Sequence, residues 1–151
     1  MNVSDVLVPI DFSPNSLQAI QFATQLVQTE GEVYLLHVID SDFARRVSDE
    51  GFLSQEAAIE SLRKRATERM DEILKDHAGR KIEKMIVVGK PFAEILRVAT
   101  DLDFEMIVLG IHGRLDSDLE QLLFGSTAEK VLRGTQVPVV CVPCKKASSS
   151  P

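Results

Sequence analysis

The chain has 151 residues, a length that corresponds to one ordinary domain. Hydrophobic residues make up 44% and charged residues 26%, which is typical of a globular protein and excludes wholesale disorder. The formal charge of −6 and the 5% of aromatic residues argue against a nucleic-acid-binding protein, because such proteins use basic patches and stacking side chains.

The sequence shows neither a membrane span nor an export signal. No apolar stretch approaches the roughly 18 residues that a span requires, and the first residues lack the basic and apolar regions of a signal peptide. Two cysteines are too few for the disulfide framework of a secreted domain. We therefore expect a cytoplasmic protein that contacts neither membrane nor nucleic acid.

Five short apolar runs predict β-strands. Each run is nearly continuous in apolar residues, which is typical of parallel strands that are covered by helices on both faces. The runs lie at residues 6–10, 33–38, 85–88, 106–109 and 137–142.

The first two runs are separated by a helical pattern. Ser13 is a favourable N-cap and Pro14 suits the first position of a helix, so a helix is predicted to begin here. Gly31 is its predicted end, since glycine is common just beyond helix C-termini. The polar residues 41–51, after the second run, are predicted to form a flexible loop.

Three more helices are predicted farther along the chain. One covers residues 54–77 and the next follows Pro91. The last is predicted to begin at about Gly125, because Ser126 and Glu129 have the spacing of a capping box.

Strands that alternate with helices in this way predict an α/β fold with a parallel sheet. One domain over residues 1–144 accounts for all elements, and residues 145–151 are predicted to be a disordered tail. Ligands of such sheets bind beyond the carboxyl ends of the strands, so the segments after the strands indicate the function.

A cluster of glycines follows the fourth predicted strand, at Gly110, Gly113 and Gly125. The two common phosphate-binding motifs, G-x-x-x-x-G-K-[ST] and G-x-G-x-x-G, do not occur in the sequence. Glycine lets main-chain N–H groups approach an anion, and a helix N-terminus attracts negative charge, so the cluster is a candidate phosphate site. Ser126 either contacts the phosphate or only caps its helix.

Asp11 directly follows the first predicted strand. A carboxylate here can accept hydrogen bonds from ribose hydroxyls, as acidic residues do in other nucleotide-binding folds. It can equally cap the first helix together with Ser13. Asp11 and the glycine cluster together describe a mononucleotide pocket.

Cys141 and Cys144 form a C-x-x-C pair at the end of the last predicted strand. In thioredoxin-like redox sites this motif opens a helix instead. We expect both cysteines to be structural, and we predict no metal site.

Several motifs resemble the universal stress protein family. They are V-L-V-P-I-D-F-S at residues 6–13, L-H-V at 36–38, V-G-K-P at 88–91, and G-I-H-G at 110–113 followed by Gly125-Ser126. The resemblance covers nearly the whole chain. It implies a Rossmann-like parallel sheet of five strands in the order 3-2-1-4-5, binding of ATP by many members, and a homodimer.

The resemblance also implies a role for individual residues. The Asp11 carboxylate would meet the ribose and the Val38 main chain the adenine, while the loop glycines surround the phosphates. His112 is expected to shape the loop rather than to transfer protons. The positions that match the family's nucleotide contacts are Pro9, Ile10, Asp11, Val38, Gly110, His112, Gly113, Gly125, Ser126 and Thr127.

The sequence departs from the family pattern between Gly113 and Gly125. Eleven residues, from Arg114 to Phe124, stand where the pattern G-x2-G-x9-G-[ST] has nine. The insert is acidic, and its carboxylates would repel a triphosphate unless they point outward or share a divalent cation such as Mg²⁺. Its acidic residues are Asp116, Asp118 and Glu120.

These observations predict a regulatory protein of the stress response that binds ATP or another adenine nucleotide such as AMP. A nucleotide-free dimeric adaptor and a slow ATPase are the alternatives. No general base or activated nucleophile is visible beside the glycines, so rapid turnover is not expected. The homodimer is expected to form through the last strand, from Val137 to Val142, whose flanking prolines could equally block edge pairing.

Overall fold

Strands and helices alternate along the chain in the computed structural model, which describes residues 3–27, 30–111 and 120–144. The predicted tail at residues 145–151 lies outside this part. The strands are β1 (Asp5–Pro9), β2 (Glu32–Asp40), β3 (Ile82–Gly89), β4 (Met106–Ile111) and β5 (Val139–Pro143). The helices are α1 (Pro14–Leu26), α2 (Ser41–Asp49), α3 (Gln55–Asp76), α4 (Pro91–Asp101) and α5 (Glu120–Gly134).

All five strands form one parallel sheet in the order β3-β2-β1-β4-β5. The predicted α/β fold and the strand order implied by the family resemblance are therefore confirmed. The chain winds from β1 to β2 and β3 on one side and then returns to β4 and β5 on the other. This reversal opens a crevice beyond the carboxyl ends of β1 and β4, where ligands of such sheets bind.

The sheet is covered on both faces, which explains why its strands are continuously apolar. Val6 and Val8 of β1 belong to the core with α1 and α3, whereas Leu7 between them belongs to the core with α4 and α5. All three side chains are fully buried. Adjacent residues of one strand thus pack on opposite faces, as the pleat of a strand requires.

The predicted loop at residues 41–51 was wrong, because most of it forms helix α2. The carboxylate of Asp40 accepts hydrogen bonds from the N–H groups of Asp42 and Phe43, at 2.9 and 3.3 Å, and so caps the helix. The helix packs on α3 and buries Ala44 completely. The sequence did not predict this helix, because most of its residues are polar and its apolar contact with α3 is narrow.

The sequence predicted that α1 ends at Gly31, and this prediction was wrong. The helix ends at Leu26, with Val27 as its C-cap. A Cβ atom on Gly31 would lie 2.4 Å from the Ser4 carbonyl oxygen. Glycine is therefore needed for the close approach of two main-chain segments rather than for a helix stop.

Within the described residues, no helix is both long and apolar enough to cross a bilayer. Cys141 and Cys144 are not joined in a disulfide. Their separation of three positions along an extended strand spans roughly 10 Å, which exceeds the Cα distance of a disulfide. Burial raises the pKa of the Cys141 thiol, which disfavours the reactive thiolate.

Candidate functional site

A cavity of about 320 Å³ lies beyond the carboxyl ends of β1 and β4. Its walls are formed by the ends of β1, β2 and β4, by the first turns of α1 and α4, and by the middle of α5. Small-molecule sites usually measure about 300–1,000 Å³. The cavity therefore has the place and the size of a ligand site in a doubly wound sheet.

Most of the residues predicted to contact a ligand line this one cavity. His112 and Gly113 lie outside the described residues, and Gly125 lies in α5 directly before a lining residue. The predicted residues that the structure brings together are Pro9, Ile10, Asp11, Val38, Gly110, Ser126 and Thr127.

The structure adds residues that the sequence reasoning missed. The first turn of α1 lines the cavity with Ser13, Asn15 and Ser16, so the positive end of the α1 dipole faces it. The N-cap signal at Ser13, next to Asp11, was visible in the sequence and could have indicated this. Pro91 and Ile95, one turn apart at the start of α4, also line the cavity.

Asp11 is anchored in the turn between β1 and α1. Its Oδ1 atom accepts hydrogen bonds from the N–H of Ser13 at 3.0 Å and from the hydroxyl of Ser16 at 2.7 Å. Ser13 itself caps the helix, because its hydroxyl accepts the Ser16 N–H at 3.3 Å. Asp11 thus supports the start of α1. None of these bonds uses its Oδ2 atom, so Oδ2 can face a ligand at the same time.

Hydrogen bonds keep the Asp11 carboxyl in its charged form. Burial raises its pKa, but the donors on Ser13 and Ser16 outweigh burial, and the pKa lies below the ordinary value of 3.8. Asp11 is therefore a carboxylate at neutral pH, a strong acceptor for hydroxyl donors.

This lowered pKa predicts how stability depends on pH. The folded state favours the carboxylate, so the contribution of Asp11 is complete above pH 3.8 and is lost as the pH falls through its folded pKa. We expect Asp11→Asn to be less stable than the wild type at pH 7, with a difference that shrinks below pH 3.8. Urea unfolding at several pH values measures this difference. A constant difference down to pH 2.5 would contradict the assignment.

The Val38 main chain lies where β1 has ended. The N–H of Ile10 donates to the Leu36 carbonyl at 2.8 Å, so Leu36 faces β1. Because alternate residues of a strand face the same neighbour, the N–H and C=O of Val38 also point to this side, beyond Pro9, the last residue of β1. Val38 is one of the residues that line the cavity.

The His37 ring lies next to this end of β2, and His37 also lines the cavity. Its Nδ1 atom lies 2.9 Å from the Ile10 carbonyl oxygen. Since a carbonyl oxygen only accepts, Nδ1 carries the hydrogen of this bond. The bond also occupies the carbonyl that would have continued the ladder toward Val38.

Gly110 has a structural role that the sequence did not reveal. A Cβ atom here would lie 2.0 Å from the carbonyl oxygen of Asn15 and 3.0 Å from the N atom of Ser16. Glycine thus lets the first turn of α1 lie directly against β4. The wall that carries Asp11 depends on this close approach.

The predicted start of the last helix was wrong. Helix α5 already begins at Glu120, so Ser126 lies in its second turn and does not cap it. The N–H groups of Ser126 and Thr127 bond within the helix, and their hydroxyls are the groups that remain for a ligand. Lysine and arginine are lacking among the described residues that line the cavity.

The parallel sheet in this order, with a crevice at the β1–β4 reversal, defines a doubly wound α/β domain. The chain belongs to the universal stress protein family, whose model matches residues 2–143.

Its relatives include universal stress protein MJ0577 of Methanocaldococcus jannaschii, which is 30% identical over 161 aligned positions that cover 94% of this chain and 96% of that protein. The solved structure of hypothetical protein MJ0577 superimposes with a TM-score of 0.78 at 28% identity, over 97% of this chain and 100% of that one.

Two further solved structures contain ligands. A universal stress protein family protein of Arabidopsis thaliana was solved with AMP bound; its TM-score is 0.58 at 19% identity, over 98% of this chain and 95% of that one. A universal stress protein in complex with cAMP has a TM-score of 0.60 at 20% identity, over 96% of this chain and 100% of that one. At these identities, the likeness shows the shared fold.

Proposed function

We propose that this chain binds an adenine nucleotide, ATP foremost, in the cavity between β1 and β4 and acts as a regulatory protein of the stress response. The observation that carries the proposal is that Asp11, Val38 and Ser126 line one cavity at the sheet reversal. AMP and cAMP bound to proteins of the same fold support an adenine nucleotide.

The base belongs at the Val38 end of the cavity. Adenine presents a donor and an acceptor along one edge, and a main-chain N–H and C=O of one residue complement that pair. Pro9, Ile10 and Ile95 offer apolar surface nearby. Because recognition by main-chain groups needs no particular side chain, the shape of the apolar walls helps to select the base.

The sugar belongs at Asp11. A carboxylate that accepts two neighbouring hydroxyls is a strong hydrogen-bonding partner for ribose. The lowered pKa keeps this carboxyl charged throughout the neutral range, so ribose binding does not require deprotonation. The turn that anchors Oδ1 also fixes the direction of the acceptor before the ligand arrives.

The phosphates belong between α1 and α5. The hydroxyls of Ser126 and Thr127 and the positive end of the α1 dipole favour an anion there. No cluster of three or more metal-ligating side chains occurs in the part of the chain that the structure describes.

Calorimetric titration tests the proposal. ATP with Mg²⁺ and AMP are each expected to give saturable heat at one site per chain and to raise the melting temperature. GTP is the matched control, since its base presents the opposite donor and acceptor pattern to Val38. No heat and no thermal shift with either adenine nucleotide would overturn the proposal and favour the nucleotide-free adaptor.

We also propose that the chain forms a homodimer through the edge strand β5. The strand begins at Val139, two residues later than predicted. The Pro138 carbonyl accepts from Ile107 of β4, so Val139, Cys141 and Pro143 face outward by alternation. Pro143 lacks a donor, but an antiparallel copy with Val139 opposite Cys141 would satisfy the N–H and C=O groups of both residues.

Cys141→Pro is expected to abolish this dimer. It removes an outward N–H and leaves the ladder to β4 intact, because only alternate residues donate inward. Light scattering at tens of micromolar protein is expected to show a dimer for the wild type and for the control Cys141→Val, and a monomer for Cys141→Pro. A monomeric wild type or a dimeric proline variant would refute the interface.

A further inference from the structure

Phe12, between Asp11 and Ser13, has a left-handed backbone conformation with a φ of 67°. Residues other than glycine adopt this conformation rarely, and it persists where surrounding contacts hold it. Strain of this kind concentrates at functional sites. Here it lies in the turn that carries the carboxylate of the proposed ribose site.

The contacts that hold Phe12 come from β2 and α3. Its ring packs against His37, with ring centroids 4.7 Å apart, and the Arg69 guanidinium of α3 lies 4.5 Å from the centre of the ring. Arg69 also donates to the Phe12 carbonyl at 3.4 Å. His37 also donates to the Ile10 carbonyl oxygen. Both ends of the turn are therefore held by one stack, which consists of His37, Phe12 and Arg69.

Phe12 and Arg69 lie behind the cavity wall, whereas His37 of the same stack faces the cavity. Asp11, Ser13 and His37 line the cavity, whereas Phe12 and Arg69 are not among its described lining residues. The hydrogen bond from the Ser13 N–H to Asp11 Oδ1 spans Phe12. Rotation of Phe12 to an ordinary negative φ would turn that N–H away from Oδ1 and leave the Ser16 hydroxyl as the remaining donor to this oxygen.

We propose that Arg69 is a positioning residue of the nucleotide site: from α3 it holds Phe12 in the left-handed conformation and so keeps the Asp11 carboxylate aimed along the cavity wall. The inference rests on the proposed function, since the carboxylate is positioned for a ribose. Arg69 itself is exposed and lies in the helical part of α3, so its replacement leaves both cores intact. The guanidinium suits this task because it is planar and both stacks and donates.

Three variants test the proposal: Arg69→Met, Arg69→Lys, and Arg65→Met as a control on an exposed arginine one turn earlier. The pH titration of the Asp11 carboxyl carbon by NMR, without ligand, reports on the turn itself. Both Arg69 variants are expected to raise the pKa of Asp11 toward 3.8, because the Ser13 N–H moves away from Oδ1. Their affinity for AMP is expected to fall roughly threefold to tenfold, and the control is expected to match the wild type.

Two results would overturn the proposal. An unchanged titration of Asp11 in Arg69→Met would show that the turn does not depend on Arg69. A raised pKa in Arg69→Met with none in Arg69→Lys would show a simple effect of charge rather than positioning. If the wild type bound no AMP, the proposed function would fail, and the titration of Asp11 would still decide whether Arg69 holds the turn.

Discussion

Replacement of Gly110 by alanine is expected to lower the free energy of unfolding by about 2–3 kcal/mol and to weaken nucleotide binding. The added Cβ would lie 2.0 Å from the Asn15 carbonyl oxygen, a main-chain atom that cannot rotate away. The first turn of α1 must move from β4 to admit it. Asp11 and Ser13 move with that turn, so stability and affinity are lost together.

Gly89→Ala is the matched control for this prediction. Gly89 also ends a parallel strand, but the three atoms nearest to a Cβ there all belong to the flexible side chain of Glu94, the first at 2.7 Å. We expect a change below about 1 kcal/mol, since the exposed ion pair of Glu94 with Arg97 contributes little. Urea unfolding, with the same dependence on urea concentration for both variants, measures their free energies of unfolding. Equal free energies for Gly110→Ala and Gly89→Ala would contradict the close approach of α1 to β4.

Asp11→Ala is expected to weaken the binding of AMP roughly tenfold to a hundredfold, because a hydrogen bond to a charged group contributes about 1.5–3 kcal/mol. Asp11→Asn keeps an acceptor for the Ser13 N–H but loses the charge, so an intermediate loss is expected. Calorimetry measures the dissociation constants directly and separates them from any change in stability.

The control for Asp11 lies at the other end of the same strand. Asp5 is an exposed carboxylate that begins β1, far from the cavity. Asp5→Ala removes the same charge from the protein and is expected to bind AMP as the wild type does. If Asp11→Ala also bound AMP with wild-type affinity, Asp11 would not contact the ribose, and its only role would be to support the start of α1.

The sequence indicated those features that depend on neighbours along the chain. Continuous apolar runs such as residues 6–10 predicted buried parallel strands, and Ser13-Pro14 predicted the start of α1 to the residue. The order of the strands came from the family resemblance, because the runs themselves carry no information about which strand lies beside which.

Features that depend on contacts between distant segments of the chain could not be predicted from the sequence. Gly31 was interpreted as the end of a helix and Gly110 as part of a phosphate site. In the structure, each of them lets one main-chain segment lie close to another. Helix α2 was missed because a single alanine, Ala44, supplies its fully buried contact. The stack of Arg69 on Phe12 joins residues 57 positions apart, which no local pattern reveals.

Crystals grown with saturating AMP test the central claim most directly. We expect the adenine against the main chain of Val38, the ribose hydroxyls within hydrogen-bonding distance of Asp11, and the phosphate at the hydroxyls of Ser126 and Thr127. A nucleotide bound elsewhere on the molecule, or a cavity without nucleotide at that concentration, would contradict it.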